Sequence, residues 1–288
     1  MLTINIDSGL CRYHIEGITQ DAHRELSLLY DNGAKDESPE FADYFIRIDD
    51  TSFIRKFLRP QKVVKIEGQR PFNPVPPAKV LPSVEWAMNW CLAAFEHQKL
   101  VFHSSVVVKN GRAFIFPAVS GSGKTTLATY LGANGWHMFS DELAIVDLNT
   151  NSVNPLFRPS SLKNESIDVI KETCSDCHFS KITKNTHKGD IGHAKLYCFE
   201  KFKSFVKTPI EAVVFPKFKR GSDTNISILS KAEGFAAILR HNFNYDVLGV
   251  DGFKTLSLIT QNSRFYYVEY SDLADMAALL DEILEGQC

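Results

Sequence analysis

Residues Ala113–Leu127 read A-F-I-F-P-A-V-S-G-S-G-K-T-T-L. It opens with an apolar run, Ala113-Phe114-Ile115-Phe116, of strand character. It closes on a helical pattern that continues through Leu127, Ala128, Tyr130 and Leu131. Between them Ala118–Thr125 spells a Walker A phosphate loop, with Ala118 in place of the usual first glycine. Gly121 and Gly123 let the backbone curl, so that N–H groups from Ser120, Ser122 and their neighbours point at phosphate oxygens. The positive end of the following helix adds to that attraction. In this reading Lys124 reaches the β- and γ-phosphates, Thr125 puts its hydroxyl on Mg²⁺, and Thr126 completes the nucleotide-binding set. A Gly/Ser turn that merely precedes a helix is the plainer alternative, and the strand and helix on either side speak against it.

The second clue follows at short range. Trp136-His137-Met138-Phe139 reads as a short strand ending in Ser140-Asp141-Glu142, after which apolar residues resume at Leu143–Val146. A carboxylate at a strand end beside a phosphate loop is where Mg²⁺ or its water shell is held. A second carboxylate beside it can take the proton of an attacking hydroxyl. Asp141 and Glu142 therefore share a metal role and a base role, in an order the sequence leaves open. Upstream, His103 and the paired serines Ser104 and Ser105 interrupt an apolar strand just before the loop. A histidine there serves equally as packing or as part of the site.

The chain has 288 residues, 44% of them hydrophobic, and a net charge of −2. The length allows one large domain or two small ones, and the charge points to neither nucleic acid nor an anionic membrane. The start, Met1–Asp7, alternates like a strand and lacks the pattern of a signal peptide, and no apolar run approaches a membrane span. A cytoplasmic location is expected. Six cysteines in this length do not make a disulfide framework. Cys174-Ser175-Asp176-Cys177-His178 matches a haem-attachment pattern that does not suit that location. It also resembles half of a zinc site, which His187, His193 or Cys198 would have to complete. Ordinary reduced thiols in a loop are the simplest reading.

Strand-like runs at Leu2–Ile6, Cys11–Ile15, Tyr44–Ile48 and Val63–Ile66 mark a small α+β unit, residues 1–82. Leu26–Tyr30 reads as a short helix or strand, and Asp31–Glu40 as a loop. Pro71, Pro74, Pro76, Pro77 and Pro82 then suggest a stiff linker. A helix capped by Ser83 opens a second domain, residues 83–288. In it Leu100–Val108 and the turn Lys109-Asn110-Gly111 make a hairpin, and Glu211–Pro216 and Phe265–Tyr270 read as strands. Lys231–Arg240 reads as a helix, Asp246–Leu258 as mixed, and Asp272–Leu284 as a closing amphipathic helix. Arg158–Ser166 and Thr186–His193 read as polar loops; Arg158, Lys163 and His193 on them are candidates for phosphate or acceptor contacts.

Taken together, His103-Ser-Ser-Val, Val-Ser-Gly-Ser-Gly-Lys-Thr-Thr and Gly135-Trp-His-Met-Phe-Ser-Asp-Glu142 resemble the core of HPr kinase/phosphorylase. A more distant resemblance is to phosphoenolpyruvate carboxykinase, whose loop is also followed by acidic residues. The chain is most similar to the bacterial HPr kinase-related kinase A proteins. Phe57-Leu-Arg-Pro60, Glu85-Trp-Ala-Met-Asn-Trp-Cys91, Ser161-Leu-Lys-Asn-Glu-Ser-Ile167, Lys188-Gly189 and Asn242-Phe-Asn-Tyr245 carry that likeness. The E-x-R-G-L-G run tied to phosphorylase activity and hexamer contacts is missing, so neither is carried over.

The expectation is an α/β chain with a P-loop kinase domain of the HPr kinase/carboxykinase-like type. It would use ATP and Mg²⁺ to phosphorylate a hydroxyl on a peptide, small protein or small molecule. Lys124, His103, Asp141 and Glu142 are the catalytic candidates. Ser120–Thr126, Arg158 and Lys163 are the cofactor-binding candidates, and Thr125, Asp141 and Glu142 those for metal. Neither nucleic acid nor membrane is an expected partner, and a homo-oligomer stays open. A nucleotide-gated binding protein with little phosphotransfer is the alternative.

Overall fold

The computed structural model describes residues 1–36, 41–51 and 59–287. Phe57 and Leu58 of the resemblance, and the end of the expected Asp31–Glu40 loop, lie outside them. The chain is mixed α/β and clusters into two compact units. Met1–Leu92, Leu156–Lys171 and Ser175–Phe205 form the first; Ala93–Pro155, Glu172–Cys174 and Val206–Cys288 form the second. Compactness thus divides the chain at Leu92 rather than at residue 82, and a later stretch joins the N-terminal unit.

In the first unit Ala34–Lys35, Thr3–Asp7, Arg12–Glu16, Tyr44–Asp50 and Lys62–Ile66 lie in that order in one sheet. Alternation drives it: Ile4, Ile6, Tyr13, Ile15, Ile46 and Ile48 are buried, with polar residues between them. The helix Gln20–Tyr30, capped by the Thr19 hydroxyl, contributes buried Leu26, Leu29 and Tyr30 to the same unit. A second sheet pairs Gly189–Lys195 with Ser160–Lys163, His178–Phe179 and Thr183–Thr186. Two expected polar loops are therefore partly sheet, because their small and polar residues satisfy their backbones against each other.

The proline-rich stretch is more ordered than a linker. Val75 exchanges backbone hydrogen bonds with Lys62, and Pro77–Lys79 forms a 3₁₀ turn. The following helix spans Val80–Phe95, so it starts before Ser83. Pro82 sits in its first turn, where no backbone N–H is needed. Ser83 is not the cap; its hydroxyl donates to Lys79 O at 2.8 Å.

The second unit is built on an eight-stranded mixed sheet. Its order is Ser152–Asn154, Leu143–Asp147, Lys99–Lys109, Arg112–Pro117, Thr208–Phe218, Arg264–Tyr270 and Asn225–Leu229, with His137–Ser140 also paired to Lys99–Lys109. Arg112–Pro117, Thr208–Phe218 and Arg264–Tyr270 run parallel; the other pairings are antiparallel. The expected hairpin forms with Asn110 and Gly111 at φ 52° and 70°, the conformation a two-residue turn needs. The two apolar runs on either side of His103 are one continuous strand, Lys99–Lys109. Tyr245–Asn262 is helical throughout except for a break at Gly249. The last helix, Leu273–Glu285, is capped by the Asp272 carboxylate and buries Met276, Leu280, Ile283 and Leu284.

Candidate functional site

The strand Arg112–Pro117 is fully buried from Ala113 to Phe116 and delivers the chain to the glycine loop. The helix Lys124–Ala133 starts immediately after that loop. Gly121 and Gly123 both have φ of +89°. A Cβ on Gly123 would also come within 2.7 Å of Tyr270 Oη and 3.0 Å of Phe218 Cβ, so glycine is required there twice over. Phe218 N donates to Ser122 O at 3.0 Å and Leu127 N to Gly123 O at 2.9 Å, tying the loop to the neighbouring strand and the helix. No side chain caps that helix, which leaves its N-terminal dipole to an incoming anion.

Lys124 is 6% exposed, and its Nζ lies 3.0 Å from His103 Nε2. An ammonium donating to Nε2 leaves the ring proton on Nδ1, so His103 acts as an acceptor that fixes the lysine. The sheet explains why these residues meet. His103 sits opposite Leu143, and Ser104 opposite Pro117, the last residue before the loop. Asp141 and Glu142 form the bend between two strands that both pair with Lys99–Lys109. Ser105 Oγ donates to Asp141 O at 2.5 Å, and Ser104 N to Glu142 O at 3.0 Å. Ser140 Oγ accepts from Leu143 N at 3.1 Å, closing the bend. The Ser105 hydroxyl, unexplained in the sequence, thus anchors Asp141, and the Ser104 backbone holds Glu142. Asp141 is 4% exposed, Glu142 more open.

His241 was missed by sequence reasoning. Its carbonyl accepts from His103 N at 2.6 Å, and Phe243 N donates to Val101 O at 2.9 Å, so this segment lies along the His103 strand. Asn244, 3% exposed, holds it there by accepting from Val101 N and donating to the Glu96 and Lys99 carbonyls. The Asn242–Tyr245 likeness was the available signal. Burial, then Lys124 and Arg240, hold the His241 imidazole below its ordinary value of 6.5. On acidification the unfolded chain therefore takes up this proton first, and stability falls as pH drops below about 6.5. Thermal melts should show Tm declining from about pH 7 to about pH 5.5, and His241→Gln should flatten part of that decline. An unchanged slope in the variant would assign the decline to other groups.

Arg158, Lys163 and His193 belong to the first unit. The Arg158 terminal nitrogens donate to Asn89 Oδ1 at 2.9 Å, Glu85 O at 2.9 Å and Glu85 Oε2 at 2.5 Å, all within that unit. Lys163 ends the strand Ser160–Lys163, and His193 is 1% exposed on Gly189–Lys195. Cys174 and Cys177 are both disulfide-bonded, with a turn at Ser175–Asp176 between them, so the expected reduced thiols are oxidised. Disulfide-bonded sulfurs are not thiolate ligands, so Cys174 and Cys177 do not form the half zinc site that His187, His193 or Cys198 would complete. Among the described residues no group of three or more His, Cys, Asp or Glu is placed to hold a metal. No helix among them is long and apolar enough to cross a membrane.

No protein-family model matches the chain, and no curated protein matches it significantly in sequence.

Proposed function

We propose that this chain is an ATP- and Mg²⁺-dependent kinase of the P-loop, HPr kinase-like type that transfers the γ-phosphoryl group to a hydroxyl. One observation carries the reading. A strand, a loop with two positive-φ glycines and an uncapped helix start hold a buried lysine, and the strand that positions this lysine through His103 also anchors an acidic pair.

The loop N–H groups and the helix N-terminus hold the phosphates, and Lys124 neutralises charge that develops on the transferred group. His103 keeps Lys124 in place in the absence of nucleotide. Thr125 with Asp141 or Glu142 offers hard oxygen donors on the helix start and the anchored bend, a set that suits Mg²⁺ and not a softer ion. When bound, Mg²⁺ would offset the charge of the β- and γ-phosphates. The remaining carboxylate takes the proton of the attacking hydroxyl. The acceptor is a serine of a peptide or small protein, or a small hydroxylated molecule.

The acidic pair provides the test. Neutralising the metal carboxylate, by Asp141→Asn or Glu142→Gln, should weaken Mg²⁺-nucleotide binding. Neutralising the base should leave binding nearly intact and slow the single-turnover rate by about 10²-fold or more. Titrating both variants for affinity and rate separates the roles. Wild-type rates in both would remove the pair from the mechanism.

A further inference from the structure

A second cationic site stands in the first unit, on residues that the kinase reading does not use as a group. Trp86 lies on the helix Val80–Phe95, half-exposed. The His187 ring meets its indole edge-on at 4.5 Å between centroids, and Lys188 Nζ sits 4.9 Å from the ring centroid. His187 and Lys188 form the tip of the hairpin Thr183–Thr186 and Gly189–Lys195. Lys79, in the turn before the helix, donates to Asn185 O on the same hairpin.

The tip is rigidly built. Gly189 has φ of +90°, and a Cβ there would come within 2.4 Å of Asn164 Oδ1. Asn164 Oδ1 accepts from Asp190 N at 3.0 Å, and Asn164 N donates to Asp190 O at 3.0 Å. Lys163 is therefore fixed in sequence beside the residue on which the tip rests. The Asp190 carboxylate, the acidic group of this hairpin, accepts from Asn185 N at 2.9 Å. Trp86 Nε1 is buried without a hydrogen-bond partner among the described residues.

From His187 and Lys188 on the indole, Lys79 bonded to the same hairpin, and Lys163 next to the Asn164 on which the tip rests, we infer that this is a binding site for a phosphate-type oxyanion. Like charges on one stiff frame repel, and an anion between them relieves that repulsion. The frame keeps them together even though they repel. The electrostatics agree: burial, then Lys188, Lys163 and Lys79, lower the proton affinity of His187, and no carboxylate raises it. His187 and Lys188 both lie against the indole, so the ligand is recognised by charge and not by base stacking. A doubly charged oxyanion balances the cluster better than a single charge. Its source is free phosphate or a phosphate monoester on a larger molecule. On binding, it would let His187 take a proton and become a further donor.

The glycine loop of the second unit is itself an anion site, so the test is made in the full-length Lys124→Ala chain and read at His187. The imidazole Cε1–H signal, assigned with His187→Gln, is followed by NMR against pH at constant ionic strength. The arms are chloride, inorganic phosphate and phosphoserine. The midpoint should lie below the ordinary histidine value in chloride and rise by about one unit in either phosphate compound. Lys163→Met and Lys188→Met, each shown to melt like the parent, should weaken phosphate binding about tenfold. Tighter binding of phosphoserine assigns the site to an ester, and tighter binding of inorganic phosphate to the free ion. A midpoint that phosphate moves no further than chloride overturns the site. So does unchanged affinity in both lysine variants. Neither result touches the proposed kinase site.

Discussion

Lys124→Ala should fold and lose ATP-dependent phosphoryl transfer by about 10³-fold or more. The lysine is buried beside the loop, with its Nζ 3.0 Å from His103 Nε2. Removing it takes away a cation pre-positioned for charge that grows in the transition state. The loop does not depend on it for shape. Backbone bonds from Leu127 to Gly123 and from Phe218 to Ser122, and the positive-φ glycines, set that geometry. Circular dichroism and thermal melts should therefore resemble wild type while the transfer rate collapses. Near-normal turnover in a folded Lys124→Ala protein would remove the loop from the reaction.

Arg158→Ala should destabilise the first unit by about 3–5 kcal/mol. The side chains of Arg158 and Glu85 are 4% and 3% exposed, with an N–O distance of 2.5 Å. Tyr30 Oη donates to the Glu85 carboxylate at 3.1 Å, so deleting the guanidinium leaves a buried carboxylate with only neutral donors. Urea unfolding followed by tryptophan fluorescence in a Trp136→Phe background, where Trp86 and Trp90 alone report, reads this unit. The paired change Glu85→Leu with Arg158→Met should recover most of the loss, since two apolar groups strand no charge. If the single and double variants unfold at the same urea concentration, the ion pair is not the source of the cost.

The sequence made the loop legible because strand, glycine turn and helix start all lie within one short segment. The hairpin at Asn110-Gly111 and the closing helix behind Asp272 were legible for the same reason: turn and cap chemistry is local. What stayed hidden depends on pairing across long separations. Arg158 and Glu85 are 73 residues apart, and nothing near Arg158 shows that it is buried against a carboxylate. It therefore read as a phosphate ligand on a loop. The strand Ser160–Lys163 escaped for the same reason, since its partner Gly189–Lys195 comes later in the chain. Ser83 read as a cap because the apolar period is clearest after it, yet Pro82 fits the first turn of a helix begun at Val80. Ser104 and Ser105 looked like an interruption; their value appears only once the strand is paired on both sides. His241 reaches the Lys124 neighbourhood through its own bond to His103 and through those of Phe243 and Asn244, across a long separation in the chain.

The most direct test of the kinase reading follows the γ-phosphoryl group itself. The full-length protein is incubated with Mg²⁺ and ATP carrying ¹⁸O on the γ-phosphate, together with pooled serine-containing peptides and small hydroxylated molecules. Mass spectrometry then reads where the labelled phosphoryl group goes. A labelled phosphate ester on an acceptor hydroxyl is expected with the wild-type protein, with ADP formed in step, and neither with Lys124→Ala. ATP bound by the wild-type protein with no labelled ester and no ADP from any acceptor class would contradict the kinase reading, and would describe a protein that binds nucleotide without transferring it.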